Sequence, residues 1–214
     1  FGIIAEPTQL IPVYAHKGGA RVIVTAHGRA AHTSTDEGIS ANLLIAPFLA
    51  EVAEEAKRWK MDSAYMNFEF SPPTNGFNMV LNDGDCKPNV TAARTVCTLS
   101  FRPMPNDHSE EIIGTLTAKA TAYGFAVTSS LTPPFYIAPD SEIVQLASRA
   151  TDGTPPGTVA FGTDSVTFRH YLPLVILGPG NIAQAHTVDE WIDMAQLLRA
   201  QIVYRTLIES ICVM

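Results

Sequence analysis

Two residues, Glu6 and His186, combine a metal-binding side chain with a position just after a predicted strand. Glu6 follows the apolar run 1–5, and His186 closes the polar loop after a strand predicted over 173–178. Ligand sites in open α/β sheets lie at the carboxyl ends of strands. A carboxylate and a neutral imidazole there would suit zinc. The alternative roles are structural, namely a surface carboxylate for Glu6 and a helix-capping loop histidine for His186.

Two further segments could contact a substrate from a separate part of the chain. The loop 27–34 is polar, is rich in small residues and carries two histidines, either of which could reach a substrate or an oxyanion. Arg102 ends a predicted strand, where its planar guanidinium suits bidentate capture of a carboxylate. The alternatives are a turn with a helix cap for the loop and an internal salt bridge for Arg102.

The segment 161–165, Phe-Gly-Thr-Asp-Ser, joins a predicted strand to a predicted helix. Thr163 or Asp164 is a natural N-cap, and the backbone N–H groups there could also hold a substrate carboxylate. A serine nucleophile is not indicated, because no serine of the sequence lies in a Gly-x-Ser-x-Gly elbow.

The middle of the chain has the element pattern of one small domain. Strands are predicted over 19–27, 76–82, 90–102 and 125–131, and helices over 38–60 and 108–122. The resulting order of strand, helix, strand, strand, helix and strand is the split βαβ, or ferredoxin-like, arrangement. We therefore predict a ferredoxin-like domain over residues 16–132.

The flanking segments, 1–15 and 133–214, are predicted to be pieces of an α/β domain into which the ferredoxin-like domain is inserted. The run 173–177 is nearly all apolar, as expected of a strand buried on both faces. Helices are predicted over 140–150, 164–171 and 190–210, and a further strand over 158–161. About three strands are few for a doubly wound domain, so we expect this chain to be part of a larger protein.

Composition excludes several classes of protein. Of 214 residues, 46% are hydrophobic, which is enough for a core. The net charge of −7 argues against a nucleic-acid partner. No apolar run approaches the roughly 18 residues of a membrane span, so no membrane partner is expected. Three cysteines at scattered spacings argue against a disulfide framework and favour a reducing, cytoplasmic location.

Taken in order, the motifs of the chain resemble one enzyme family. They are Ala5-Glu6-Pro7-Thr8, His16-Lys17-Gly18, Gly28-Arg29-Ala30-Ala31-His32-Thr33-Ser34, Asn89, Phe101-Arg102-Pro103-Met104-Pro105, Gly162-Thr163-Asp164, and Gly178-Pro179-Gly180 through His186 to Asp189-Glu190. The set resembles the co-catalytic zinc aminoacylase and carboxypeptidase family, which includes acetylornithine deacetylase and succinyl-diaminopimelate desuccinylase. Each motif alone is weak, but the ordered set spans nearly the whole chain.

The resemblance implies a role for each matching residue. Glu6 resembles the carboxylate ligand of one zinc ion, and His186 resembles the histidine ligand of the other, with cobalt or manganese as replacement metals. His32 resembles the lid histidine that crosses a dimer interface to polarise the scissile carbonyl group. The positions that match substrate-binding residues, with Arg102 on the substrate carboxylate, are Asn89, Arg102 and Thr163.

The resemblance also implies a function. We expect the carboxyl-terminal portion of an acetylornithine-deacetylase-like amidohydrolase that hydrolyses an N-acyl amino acid. The family's His-x-Asp segment, bridging aspartate and paired glutamates lie upstream of the motif at Glu6, and nothing in the chain replaces them. We therefore expect the chain alone to be inactive. The alternative is a non-catalytic dimerisation or scaffold module that kept the fold and lost the chemistry.

A homodimer is expected through the ferredoxin-like lid. The predicted strand 19–27 is long and β-branched and carries few charges, as an exposed edge strand that pairs with a second copy would. We predict dimerisation through residues about 19–60, which would carry His32 toward the partner's site.

Overall fold

The computed structural model describes residues 1–105 and 108–212 and divides the chain into two compact units. The first unit contains Phe1–Lys17, Glu69–Ser71 and the chain from Pro134 onward, and the second contains Gly18–Phe68 and Pro72–Pro133. Residues 16–17 and 69–71, which the sequence assigned to the inserted domain, thus belong to the first unit.

The described residues form nine strands and five α-helices, numbered here in chain order. The strands are β1 (Gly2–Ile4), β2 (Val13–His16), β3 (Gly19–His27), β4 (Asn78–Asn82), β5 (Arg94–Phe101), β6 (Ala126–Thr132), β7 (Phe135–Tyr136), β8 (Gly157–Val159) and β9 (Leu174–Ile176). The helices are α1 (Ala41–Met61), α2 (Ser109–Ala122), α3 (Glu142–Ala150), α4 (Ser165–Phe168) and α5 (Met194–Cys212). None of the described helices is both long and apolar enough to cross a bilayer.

The second unit has the predicted ferredoxin-like fold. Its four strands form an antiparallel sheet in the order β4-β5-β3-β6. Every second residue of β3, from Ala20 to Ala26, is buried in a core shared with α1 and α2. Phe48 and Trp59 of α1 and Leu116 of α2 fill this core, which explains why period-2 and period-3.6 apolar patterns alternate along the sequence. The opposite face of the sheet is mixed, because Arg21, Ser100 and Ser130 share it with Ile23 and Val96.

The predicted dimer edge is wrong, because β3 is a central strand. It pairs with β5 from Ala20 to His27 and with β6 from Gly19 to Thr25. A strand with partners on both sides offers no free backbone groups to a second copy. Its β-branched composition reflects this burial, which a sequence pattern does not distinguish from an edge.

The first unit contains a five-stranded sheet rather than the three or so strands predicted. Its order is β1-β9-β2-β7, with β8 paired in parallel with β2. Strands β2 and β7 are not predicted from the sequence, because they are short and pair with strands far away in the chain. The boundary between the two units falls between Pro133 and Pro134, close to the predicted end of the inserted domain at residue 132, and Pro134 leads directly into β7.

Strand β9 is buried on both faces, as predicted from its apolar run. Val175 and Leu177 pack with residues of α3 and α5, whereas Leu174 and Ile176 pack in a separate cluster with Val13 and Phe135. Buried parallel pairing with β1 places the ends of both strands at one edge of the sheet. That edge is where the sequence places its candidate metal ligands.

Candidate functional site

Glu6 lies in a loop that is tied to the loop after β9. The N–H groups of Thr8 and Leu10 both donate to the carbonyl oxygen of Gly178, at 3.1 and 2.9 Å. The Gly178 N–H in turn donates to the Thr8 hydroxyl at 3.2 Å. The two strand-end loops therefore hold each other through backbone groups and the Thr8 hydroxyl, and they place the half-buried Glu6 at the carboxyl ends of the strands.

Gly178 makes this approach of the two loops possible. A Cβ added to it would lie 2.4 Å from the Glu6 carbonyl oxygen and 2.7 Å from the carbonyl carbon of Ala5. Only a residue without a side chain allows these backbones so close together. In the sequence, Thr8 and Gly178 stand out only as parts of two separate motifs, because their hydrogen bond joins residues 170 positions apart.

His186 is exposed in the loop between β9 and α5. Its backbone has a positive φ of 62°, and its N–H donates to the Glu190 carboxylate at 2.5 Å. The imidazole does not cap α5, because that helix begins at Met194 and the Asp193 carboxylate accepts the N–H of Ala195 at its first turn. The sequence predicts that this helix begins near residue 190, whereas it begins four residues later, at Met194. The capping role considered for His186 is therefore not supported.

Metal binding by this chain alone does not fit the arrangement of its donors. Within residues 1–105 and 108–212, no three His, Cys, Asp or Glu side chains converge as metal ligands. Zinc normally takes about three or four protein ligands. Glu6 and His186 are therefore single candidate donors, and the described residues do not by themselves form a metal site.

Thr163 belongs to a buried hydrogen-bonded group that the sequence analysis did not identify. Its hydroxyl donates to Ser165 Oγ at 2.9 Å, and the Ser165 hydroxyl donates to His16 Nε2 at 2.8 Å. The Thr163 N–H also approaches His16 Nε2, at 3.3 Å. We call these three residues the Thr163–Ser165–His16 network. It holds the loop before α4 against the end of β2.

The network requires a neutral His16. Nδ1 lies 2.8 Å from the carbonyl oxygen of Lys17, which can only accept, so Nδ1 carries the proton and Nε2 is the acceptor. Burial lowers the pKa of His16, and the nearby positive charge of Arg169 lowers it further, whereas the hydrogen bond to Lys17 opposes this. The ring stacks on Phe135 with 5.7 Å between centroids.

His32 is exposed in a loop that is anchored to the segment carrying Asn89. The N–H of Thr33 donates to the Asn89 carbonyl oxygen at 3.0 Å, and His32 forms an isolated antiparallel bridge with Val90. Thr91 fastens the same loop, because its hydroxyl donates to the Arg29 carbonyl at 2.7 Å. The structure thus brings His32 and Asn89, two predicted site residues, into one loop pair.

The hydrogen bonds of His32 indicate which of its two ring nitrogens carries the proton. The Ser34 N–H donates to His32 Nδ1 at 3.2 Å, so this nitrogen is an acceptor and the proton lies on Nε2. The Ser34 hydroxyl lies 2.7 Å from the same nitrogen. Exposed Nε2–H can therefore donate a hydrogen bond to a carbonyl oxygen.

Arg102 follows β5 at the other end of the same sheet. Its backbone N–H donates to the Asn75 carbonyl oxygen at 2.6 Å, and its guanidinium is exposed. It forms no ion pair with a carboxylate of the described residues, so the internal salt bridge considered from the sequence is not observed. At about 3.4 Å per residue, the length of β3 separates Arg102 from the His32 loop by roughly 25 Å within one chain.

Comparisons with known proteins agree with this architecture. The peptidase dimerisation domain family matches residues 14–126. An acetylornithine deacetylase of Proteus mirabilis is 31% identical over 223 residues, covering 99% of this chain and 56% of that protein. An N-acetyl-L-citrulline deacetylase of Xanthomonas campestris is also 31% identical, over 92% of this chain and 55% of that protein. The chain spans about half the length of the curated relatives it matches.

Solved structures share the fold at lower sequence identity. An aminopeptidase PepT from Bacillus cereus has a TM-score of 0.71 and 21% identity, covering 98% of this chain and 56% of that one. A tripeptidase from Staphylococcus aureus has a TM-score of 0.70 and 19% identity, covering 100% of this chain and 57% of that one. These likenesses establish an α/β unit with an inserted ferredoxin-like unit.

Proposed function

Since this chain belongs to the peptidase family that carries this dimerisation domain, we propose that it forms part of a metal-dependent amidohydrolase. The reaction is hydrolysis of an N-acyl amino acid to a carboxylate and a free amine. Deacetylases among the relatives that match 92% or more of this chain support this reaction class. The activity is assigned to the whole protein, of which these residues supply the lid and part of the catalytic domain.

The observation that carries the proposal is the placement of His32 and Arg102 at opposite ends of one sheet. A small substrate cannot touch both residues of a single chain across roughly 25 Å. If both contact substrate, they do so from different subunits, and this requires a dimer. In a two-fold symmetric dimer, His32 and Asn89 of each subunit then enter the site that contains Arg102 of the other subunit.

The roles follow from the side-chain chemistry. Arg102 has no described counter-ion and binds the substrate carboxylate through paired N–H donors. His32 donates its Nε2–H to the scissile carbonyl oxygen, where negative charge develops during attack. Thr163 presents its loop to the substrate while its hydroxyl is held by Ser165.

Glu6 and His186 are proposed to contribute one metal ligand each, and the remaining ligands come from other parts of the whole protein. Their positions after strand ends at one sheet edge support this assignment. Two zinc ions, replaceable by cobalt or manganese, would lower the pKa of a bound water and stabilise developing negative charge.

The dimer is proposed to form through β4 and the first turn of α1, which replaces the predicted pairing of residues 19–27. β4 is an edge strand, and its Val80 and Leu81 are 54% and 52% exposed. Leu43 of α1 is 76% exposed. The Asn42 amide donates to the Asp83 carboxylate at 2.9 Å, which fixes the first turn of α1 beside the end of β4. Leu81 lies on the helix-covered face of the sheet, the face of its partner Cys97, and Val80 lies on the opposite face, so this edge exposes apolar side chains on both faces.

Hydrolysis by the whole gene product tests the proposed function. We expect release of free amine from N-acetyl amino acids, loss of this activity on chelation, and recovery on adding zinc. His186→Ala is expected to reduce metal content and activity together, and His170→Ala, which changes another exposed histidine of the first unit, serves as control. Activity that survives both chelation and His186→Ala would contradict the proposal.

A non-catalytic dimerisation module is the second candidate, because the described residues hold no complete metal-ligand set. The same assay separates the two candidates. A whole gene product that forms dimers but neither binds metal nor releases amine would favour the module.

A further inference from the structure

The face of the ferredoxin-like sheet that is turned away from the helices carries two arginines close to each other. Along β5, Arg94, Ser100 and the following Arg102 share this face, because residues two apart point the same way. Arg21 of β3 lies directly opposite Ser100 on one side and Ser130 on the other. Arg21 and Arg102 are therefore diagonal neighbours, which in an antiparallel pair lie about 7–8 Å apart, within reach of long side chains.

A cavity of about 440 Å³ lies between these side chains. Its polar lining consists of Arg21, Ser100, Arg102, Ser130 and Thr132. Gly19 forms part of its floor, and a Cβ added there would lie 3.9 Å from Arg102 Nη1. The absence of a side chain at Gly19 thus leaves open the space between Arg102 and Thr132.

The cavity has the charge of an anion site. Its lining holds two guanidinium groups and three hydroxyl groups and includes no carboxylate. Neither arginine forms an ion pair with a described acidic residue. In a chain of net charge −7, two neighbouring arginines without a described counter-ion are unusual. Each guanidinium can offer a carboxylate two parallel N–H donors.

We propose that this cavity binds a small dicarboxylate, with one carboxylate on Arg102 and the second on Arg21. This inference rests on the proposed function, in which Arg102 holds the carboxylate of an N-acyl amino acid. Arg21 then selects substrates that carry a second negative charge, in the acyl group or in the side chain. The substrate class is an acidic N-acyl amino acid, and Arg21 is a specificity-determining residue.

Two isosteric ligands that differ by one charge test the proposal by titration calorimetry on this chain. They are N-acetyl-L-glutamate, a dicarboxylate, and N-acetyl-L-glutamine, which has an amide in place of the second carboxylate. We expect the glutamate derivative to bind about tenfold more tightly, as a charge-assisted hydrogen-bonded pair predicts. Arg21→Gln should abolish this preference, and Arg102→Gln should weaken binding of both ligands.

Arg94→Gln is the matched control, because Arg94 lies on the same sheet face but outside the cavity. It should leave both affinities unchanged. The proposal is overturned if neither ligand binds, if the two ligands bind equally to the unaltered chain, or if Arg94→Gln removes the preference as fully as Arg21→Gln. A binding preference without hydrolysis by the whole gene product would overturn the proposed function but support the dicarboxylate site.

Discussion

The imidazole of His16 shows how a single buried residue couples a strand to a candidate substrate loop. It is 1% exposed and accepts from Ser165 and from the Thr163 N–H while its other nitrogen donates to Lys17. Protonation of Nε2 would remove the acceptor that both partners use. The residue therefore has to remain neutral for Thr163 to keep its position.

Acidification should destabilise the first unit through His16. The pKa of His16 in the folded chain lies below the value of about 6.5 expected in the unfolded chain. As the pH falls toward 6.5 and below, His16 therefore binds a proton more readily in the unfolded state than in the folded state. The stabilising contribution of neutral His16 is therefore present above about pH 6.5 and is lost as the pH falls below it. Urea denaturation between about pH 7.5 and 5.5 should show this loss.

His16→Gln should cost about 1–3 kcal/mol at the higher pH, because buried partners lose hydrogen bonds, and should flatten the pH dependence. His32→Gln is the control, since His32 is exposed. An unchanged pH slope in His16→Gln would contradict the assignment.

Loss of the His32 imidazole should reduce turnover without loss of metal. In the whole gene product, we expect His32→Ala to lower kcat by roughly 100-fold, as for removal of one donor to a developing oxyanion. Metal content should stay the same, because His32 is proposed to contact substrate only. His27→Ala, which removes another exposed histidine at the start of the same loop, should leave kcat near its original value.

At the scale of elements, backbone contacts rather than side chains determine how the lid loop leaves β3. A Cβ at Gly28 would lie 2.1 Å from the Ile39 carbonyl oxygen and 2.6 Å from that of Ala92. Three backbone segments therefore meet at this glycine, immediately before the His32 loop. The sequence predicts a turn at Gly28, but it does not show that the backbones of residues 39–41 and 92 lie against this glycine.

Alanine substitutions at two glycines of the lid should have opposite effects. Gly28→Ala should destabilise the lid by at least about 2 kcal/mol, because the backbones around it must shift. Gly114→Ala, within α2 and with nothing within 4 Å of an added Cβ, should stabilise by about 0.5–1 kcal/mol. Thermal or urea unfolding measures both, and destabilisation of equal size in the two variants would contradict this account.

At the scale of the whole molecule, one sheet edge is apolar enough to be an interface. At the edge formed by β4 and the first turn of α1, three apolar side chains are exposed, namely Leu43, Leu81 on the helix-covered face of the sheet and Val80 on the opposite face. A charged residue on an edge strand opposes pairing with a second copy. The opposite edge, β6, offers an exposed leucine, Leu131, for comparison.

Val80→Lys should therefore weaken the dimer, raising its dissociation constant by about tenfold or more. Light scattering at micromolar concentration would report a shift toward monomer mass. Leu131→Lys, which places a lysine on the β6 edge instead, should leave the dimer intact. If Leu131→Lys abolishes the dimer and Val80→Lys does not, the interface lies on the β6 edge and the proposed β4 interface is contradicted.

The local patterns of the sequence were sufficient for most elements and for the family. Apolar periodicity identified β3 and both lid helices, because their core-facing residues are close in sequence and follow one period. The run around Val175 predicted a strand buried on both faces, and the ordered motifs around Glu6, His32 and His186 indicated the enzyme family. Each of these signals is contained in a short stretch of chain.

Only the tertiary structure decided which strands are neighbours and which residues share a site. Several features depend on contacts between residues distant in sequence. They are the central position of β3, the short strand β2, the Thr163–Ser165–His16 network and the position of Arg21 beside Arg102 in one cavity. A periodic pattern reports that a strand is buried on one face but not which strands flank it. Hydrogen-bond partners such as His16 and Ser165, 149 residues apart, are brought together only by folding of the sheet.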